Sequence, residues 1–196
     1  MLDTHGRKWV DPVINFIRDL AVKYKISPNA ITLFASLIGC ASALLILGDQ
    51  PIFAALVLWI SGGLDAVDGA VARKTGQMSA FGTLLDITLD RVVEMAVILA
   101  LALRSGGSIL PYLVLMMAIL LSMTIFLTVG AISEKSGMKS FRYQTGMVER
   151  TEGFIGFTVM IVWSSQAHMI AWIMAALIGN TAIQRLMEAK KILGDK

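Results

Sequence analysis

The sequence predicts an all-α polytopic membrane protein, with six transmembrane helices preceded by an amphipathic helix lying at the membrane interface. Three observations carry this. The 196 residues are 56% hydrophobic and 16% charged, whereas a soluble domain carries about a quarter charged residues. The apolar residues fall in runs long enough to span a bilayer. Proline, glycine and clustered charge punctuate those runs. A single cysteine, Cys40, excludes an internal disulfide and a thiolate metal site. There is no basic arm with interleaved aromatics, so nucleic acid is not an expected partner. Asp3, His5, Arg7 and Lys8 have no apolar run behind them, so no cleavable signal peptide is expected.

Residues 1–26 form the predicted amphipathic N-terminal segment. Within it, Asp11 suits an N-cap and Pro12 a first helical position. Val13, Phe16, Ile17, Leu20 and Tyr24 recur at helical spacing against Asn15, Arg18, Asp19 and Lys23. Such a stretch is too short and too charged to span. It suits the interface, a packed position on the protein's inner face, or both.

Residues 27–196 form the predicted six-helix transmembrane domain. Ser27-Pro28-Asn29 caps the first span, which runs uncharged over 30–48. Gly48 to Pro51 is a turn, and the second span starts near Ile52. Lys74 to Ser79 connects it to the third span, about Ala80 to Leu103. The fourth covers about Ile109 to Ile132, and a basic loop follows from Glu134 to Arg150. The fifth runs from about Phe154 to Ser164 and the sixth from His168 to Ile183. Trp163 and Trp172 flank the last turn as interface anchors. Of 17 Lys and Arg residues, this topology leaves Arg104 alone on the far side. The positive-inside rule then predicts an integral cell-membrane protein with both termini in the cytoplasm.

Four aspartates break the apolar pattern. Asp65 and Asp68 stand three apart and Asp86 and Asp90 four apart, so each pair shares one helix face. Ionisable groups inside a bilayer are costly, and such a cluster marks a functional site. Two facing pairs make an oxygen cage suited to hard cations such as Mg²⁺. Four carboxylates are neutralised by two divalent ions, which points to a two-metal site of the kind used for displacement at phosphorus. Thirteen residues, Ile52 to Leu64, separate the outer turn from Asp65, roughly 20 Å of helix. Asp90 to Leu103 gives a similar length. Both pairs therefore fall at one level, roughly 10 Å inside the cytoplasmic surface of a hydrocarbon core ~30 Å thick. Structural pairing with Arg73 or Arg91 does not account for four carboxylates in this register. Glu94 reads as a structural hydrogen-bonded carboxylate, and Arg91 as satisfying a neighbour or a lipid phosphate. His5 and His168 fall on opposite sides and form no common site.

Asp65-x-x-Asp68-Gly69-x-x-Ala72-Arg73, eight residues, then Gly82-x-x-x-Asp86-x-x-x-Asp90 resembles the signature of the CDP-alcohol phosphotransferases at every position. The similarity is close over about residues 27–91 and general beyond. It implies transfer of a phosphatidyl group from CDP-diacylglycerol to a small alcohol, with release of CMP, at a cytoplasm-facing site. It implies Asp65, Asp68, Asp86 and Asp90 as ligands of Mg²⁺, with Mn²⁺ as a substitute, and Asp90 also as general base. Arg73 would hold the donor diphosphate. Gly69, Ala72 and Gly82 would line the nucleotide pocket, and Pro28, Asn29, Ala30, Ile31 and Ser79 fall where relatives contact the donor. A homodimer is the family's expectation.

Charge neutralisation and positioning of the nucleophile are what phosphoryl transfer needs, and the residues suit both. Two other classes of protein share part of this pattern. Intramembrane prenyltransferases also pair aspartates with Mg²⁺, but they need more spans and lack Gly-x-x-Ala-Arg. A divalent-cation carrier has no use for Arg73 or Gly82. The acceptor is less sharply marked. LDITLDR and Gly146 to Arg150 look most like the phosphatidylinositol-phosphate synthase-like branch. Val129 to Glu134, however, lacks the basic pair of that branch. A polyol phosphate held by Arg150 is the expectation, with other alcohols open.

Overall fold

The computed structural model describes the backbone of residues 2–135 and 150–193 and the side chains of residues 11–132, 151–191 and 193. All regular structure among them is helical: α1 (Leu2–Lys23), α2 (Pro28–Leu47), α3 (Pro51–Thr75), α4 (Ala80–Arg104), α5 (Leu110–Lys135), α6 (Arg150–Val162) and α7 (Ala167–Leu193), with a 3-10 turn at Ser164–Gln166. The helices fall into two compact units, Met1–Gly106 and Gly107–Lys196.

In the first unit α2 packs on both α3 and α4, and α1 packs on α3. The contacts between α2 and its neighbours use small residues. Ala35, Ser42, Ala43, Ala54, Ala55 and Ser61 are buried, while Leu33, Phe34, Leu37, Leu44, Phe53 and Leu56 point outward. Small side chains let helix backbones approach where lipid offers no hydrophobic drive for association. A Cβ added at Gly39 would lie 2.6 Å from Val93 Cγ1 and 2.7 Å from Ser61 Oγ. Two hydroxyls cross the α2–α3 contact: Ser42 Oγ donates to Ala54 O and Ser61 Oγ to Ala35 O, each at 2.8 Å.

The caps follow the sequence. Ser27 Oγ accepts from Ala30 N at 3.3 Å to start α2. Ser79 Oγ accepts from Gly82 N at 3.0 Å to start α4. Gly76 ends α3 at φ +69°, and its N–H reaches Ala72 O. On the far ends of the hairpins, Arg104 forms an ion pair with Asp49.

One expectation is corrected. The first helix does not begin at Asp11; it runs from Leu2 straight through Pro12. Proline's fixed φ is compatible with a helix, and the interior position forfeits a backbone bond rather than the whole element. On α1, Ile14, Ile17 and Val22 pack with Ala21, Ile31, Val67 and Val71, while Val13, Phe16, Leu20 and Tyr24 stay exposed. The packed and the exposed apolar stripes adjoin.

The expected spans are matched in part. By length and composition four described segments can cross a membrane: Pro28–Leu47, Pro51–Thr75, Leu110–Ile132 and Ser164–Lys191. α4 has 25 residues, but Asp86, Asp90, Arg91, Glu94 and Arg104 lower its apolar character. α6 has 13 residues, about 20 Å of helix against a hydrocarbon core of ~30 Å.

In the second unit α5 packs on α7, and α6 and the 3-10 turn also pack on α7. Tyr112, Leu115, Met160, Ile161 and Thr181 are fully buried. Arg185 Nη1 donates to Ser122 O at 3.1 Å and to Ser122 Oγ at 3.0 Å. Its guanidinium also lies 5.0 Å from the Phe126 ring centre.

Candidate active site and metal centre

The α3–α4 hairpin brings the aspartates together as their spacing requires. Asp65, Asp68 and Asp86 each offer a carboxylate oxygen, all within 4.8 Å of one another. Asp68 is buried, at 6% exposure, and the other two are half-buried. Asp90 sits one turn further along α4, half-buried, and is not in that group of three. Three carboxylates at this separation in an apolar setting would repel strongly by themselves. Their oxygen-only donor set fits a hard divalent cation, which takes just such ligands.

The residues around the cluster assemble in two places. A Cβ on Gly69 would meet Arg73 Nη1 at 3.2 Å, so the Arg73 guanidinium lies over the glycine one turn before it. Arg73 itself is exposed and Ala72 half-buried. On the α4 side, a Cβ on Gly82 would meet Asn29 Oδ1 and Ser79 Oγ, each at 3.1 Å. Asn29 of α2, Ser79 and Gly82 therefore meet at one point, although 50 residues of sequence separate Asn29 from Ser79. Pro28 and Ile31 are buried and Ala30 is exposed.

Arg91 and Glu94 pair with each other at 2.5 Å, as the structural reading of both residues expects. The side chain of Arg150 and the basic loop before it lie outside the described residues. The sequence reading passed over Thr32. Its Oγ1 lies 2.5 Å from Asp68 Oδ2 and 3.1 Å from Pro28 O. The available signal was a hydroxyl directly after the Pro28–Ile31 segment, on a helix with no charged residue. Arg185 was also unremarked; a lone cation near a chain end reads as surface charge until α5 supplies its partners.

Helices apolar enough to cross a membrane, a carboxylate cluster that fits a cation and an arginine one turn beyond Gly69 suit an enzyme that acts on phosphate groups. Residues 25–183 match the CDP-alcohol phosphatidyltransferase family, and the chain belongs to it. It is accordingly a phosphatidyltransferase of phospholipid biosynthesis. Among curated relatives it is 30% identical to a phosphatidylinositol phosphate synthase of Corynebacterium glutamicum, covering 97% of this chain and 90% of the relative. It is 31% identical to an archaetidylinositol phosphate synthase of Pyrococcus horikoshii, with 86% of each chain covered. Among solved structures it resembles Mycobacterium tuberculosis phosphatidylinositol phosphate synthase in complex with manganese and citrate. There the TM-score is 0.75 at 25% identity, over 90% of this chain and 88% of that one. The same enzyme with CDP-DAG bound shares the fold, with a TM-score of 0.76 at 24% identity, over 91% and 94% of the two chains.

Proposed function

We propose that the enzyme transfers the phosphatidyl group of CDP-diacylglycerol to a hydroxyl of a small polyol phosphate and releases CMP. The observation that carries this is the Asp65–Asp68–Asp86 cluster, with the Arg73 guanidinium over Gly69, the residue after Asp68. The phosphatidylinositol phosphate and archaetidylinositol phosphate synthases among the relatives, and the CDP-DAG bound to the mycobacterial neighbour, support the choice of substrates.

The acceptor oxygen forms a bond to the phosphorus that carries diacylglycerol. The bond from that phosphorus to the bridging anhydride oxygen breaks, and CMP leaves with its electron pair. Asp90 takes the hydroxyl proton, a step that typically contributes 10²–10⁴-fold. Two Mg²⁺ ions, replaceable by Mn²⁺, bound by Asp65, Asp68, Asp86 and Asp90 would supply positive charge to the diphosphate oxygens. Arg73 adds a bidentate grip on the same diphosphate. Gly69, Ala72 and Gly82 leave room for the nucleotide, and Pro28, Asn29, Ala30, Ile31 and Ser79 contact it. Arg150 binds the acceptor phosphate.

The same reading divides the chain into an N-terminal segment, 1–26, and a catalytic domain, 27–196. The exposed stripe of α1 lies in the inner leaflet. All of α2 to α7 cross the membrane, α4 and α6 included, so that both termini and the site face the cytoplasm. The enzyme works as a homodimer.

The test is mass spectrometry of lipids made by the purified protein from CDP-diacylglycerol and a panel of acceptors: inositol phosphate, glycerol phosphate, and uncharged inositol, glycerol and serine. A phosphorylated polyol should be used best. Arg150→Ala should raise its KM and leave the donor KM in place. An uncharged alcohol as the best acceptor would overturn the acceptor assignment, and failure to release CMP with any acceptor would overturn the reaction.

A further inference from the structure

We propose that Thr32 is a positioning residue whose hydroxyl fixes the Asp68 carboxylate in the orientation a divalent cation requires. The inference rests on the metal-binding role of Asp68 in the reading above. Thr32 and Asp68 are both buried, at 5% and 6% exposure, and their oxygens lie 2.5 Å apart across the α2–α3 contact. That separation is the one found for a hydroxyl donating to an ionised carboxylate. Thr32 has one proton to give. Pro28 O, at 3.1 Å, offers only the ordinary back-bond of a helical threonine. The shorter contact to the charged acceptor is the stronger claim on that proton.

A carboxylate can rotate about its terminal torsion with little cost. A donor on one oxygen fixes the plane and so aims the other lone pairs toward Asp65 and Asp86. This is the work of an outer-shell group at a metal site, where loss of the partner typically costs 10–100-fold in affinity. Thr32 also opens the second turn of α2, directly after Pro28–Ile31. One hydrogen bond thus joins the helix proposed to contact the donor to the carboxylates proposed to hold the cation. Threonine's stiff χ1 makes the link rigid.

The test is Mn²⁺ titration of the purified full chain, without donor, read by the loss of the free-ion electron paramagnetic resonance signal. Thr32→Val keeps the shape and removes the hydroxyl; it should weaken Mn²⁺ binding about 10–100-fold. Thr32→Ser should restore most of it. In turnover, Thr32→Val should need more metal for half-activation while the donor KM at saturating metal stays put. Ser36→Ala, which removes a hydroxyl bonded to Leu33 O one turn on, should bind Mn²⁺ like wild type. Wild-type affinity in Thr32→Val, with Asp68→Asn weakened, overturns the role of Thr32 and leaves the metal site standing. Equal loss in Thr32→Val and Ser36→Ala overturns it as general α2 destabilisation. No saturable Mn²⁺ binding by wild type overturns it together with the metal reading.

Discussion

Lys74 Nζ lies 2.8 Å from Asp19 Oδ1, an ion pair that ties α1 to the C-terminal turn of α3 across 55 residues of sequence. Arg18 reaches the same oxygen at 2.7 Å. The Arg18 guanidinium and then the Lys74 ammonium hold the Asp19 carboxyl at about 2, against an ordinary 3.8. A carboxyl lowered in the folded state contributes its stabilisation above the ordinary value. The contribution is lost as pH falls from 3.8 towards about 2. Being exposed, the pair is also weakened by salt. Amide exchange in α1, corrected for its intrinsic pH dependence, should therefore quicken through that acid window and at high salt. Asp19→Asn should quicken it at neutral pH. Unchanged exchange in that variant would show that apolar packing alone holds α1.

Removal of divalent metal should abolish turnover reversibly. Asp65→Asn, Asp68→Asn and Asp86→Asn should each cost more than the ~10–100-fold typical of an outer-shell loss, because each removes a group of the cluster itself. Rates measured in excess chelator and after readdition of Mg²⁺ or Mn²⁺ decide this. Full activity in chelator would contradict it.

Asp90→Asn should still bind CDP-diacylglycerol yet turn over roughly 10²–10⁴-fold more slowly. Its position one turn beyond Asp86, apart from the tight group of three, suits a residue that meets the acceptor. Donor affinity by calorimetry, set beside single-turnover CMP release, separates binding from chemistry. Near wild-type turnover would remove Asp90 from the reaction.

Two glycines should fail in different ways. Gly39→Ala forces a methyl against Val93 and Ser61; overpacking of this kind costs about 1–3 kcal/mol, and the β-branched Val93 has little freedom to turn aside. Thermal stability should fall while donor KM holds. Gly82→Leu, against Asn29 and Ser79, should instead raise donor KM with a smaller change in Tm. The reverse pattern would exchange their roles.

The carboxylate register was legible because three- and four-residue spacings have one consequence on a helix, and the hairpin puts both faces at one level. The cap at Ser27 was legible for a similarly local reason. Pro12 misled because proline marks a helix start far more often than it sits within one. Composition alone supports four of the expected spans, because α4 carries Asp86, Asp90, Arg91 and Glu94 and is therefore less apolar than its length suggests. Thr32, Asp49 with Arg104, and Arg185 with Ser122 were invisible for another reason. Each joins a helix to a separate helix or turn, and periodicity along one helix says nothing about which side chain faces it from elsewhere.

All four signature aspartates, Thr32 and the Pro28–Ile31 segment lie in the Met1–Gly106 unit, on helices joined by turns of only a few residues. Short loops cost little entropy to close, and such topologies assemble quickly. Translation therefore delivers every carboxylate of the cleft before α5 leaves the ribosome. The acidic hairpin must then be accommodated by the insertion machinery before α5, α6 and α7 are made. Selection on this stretch thus acts on membrane insertion as well as on chemistry, and a substitution that spares turnover in the finished enzyme can still lower the yield of enzyme made.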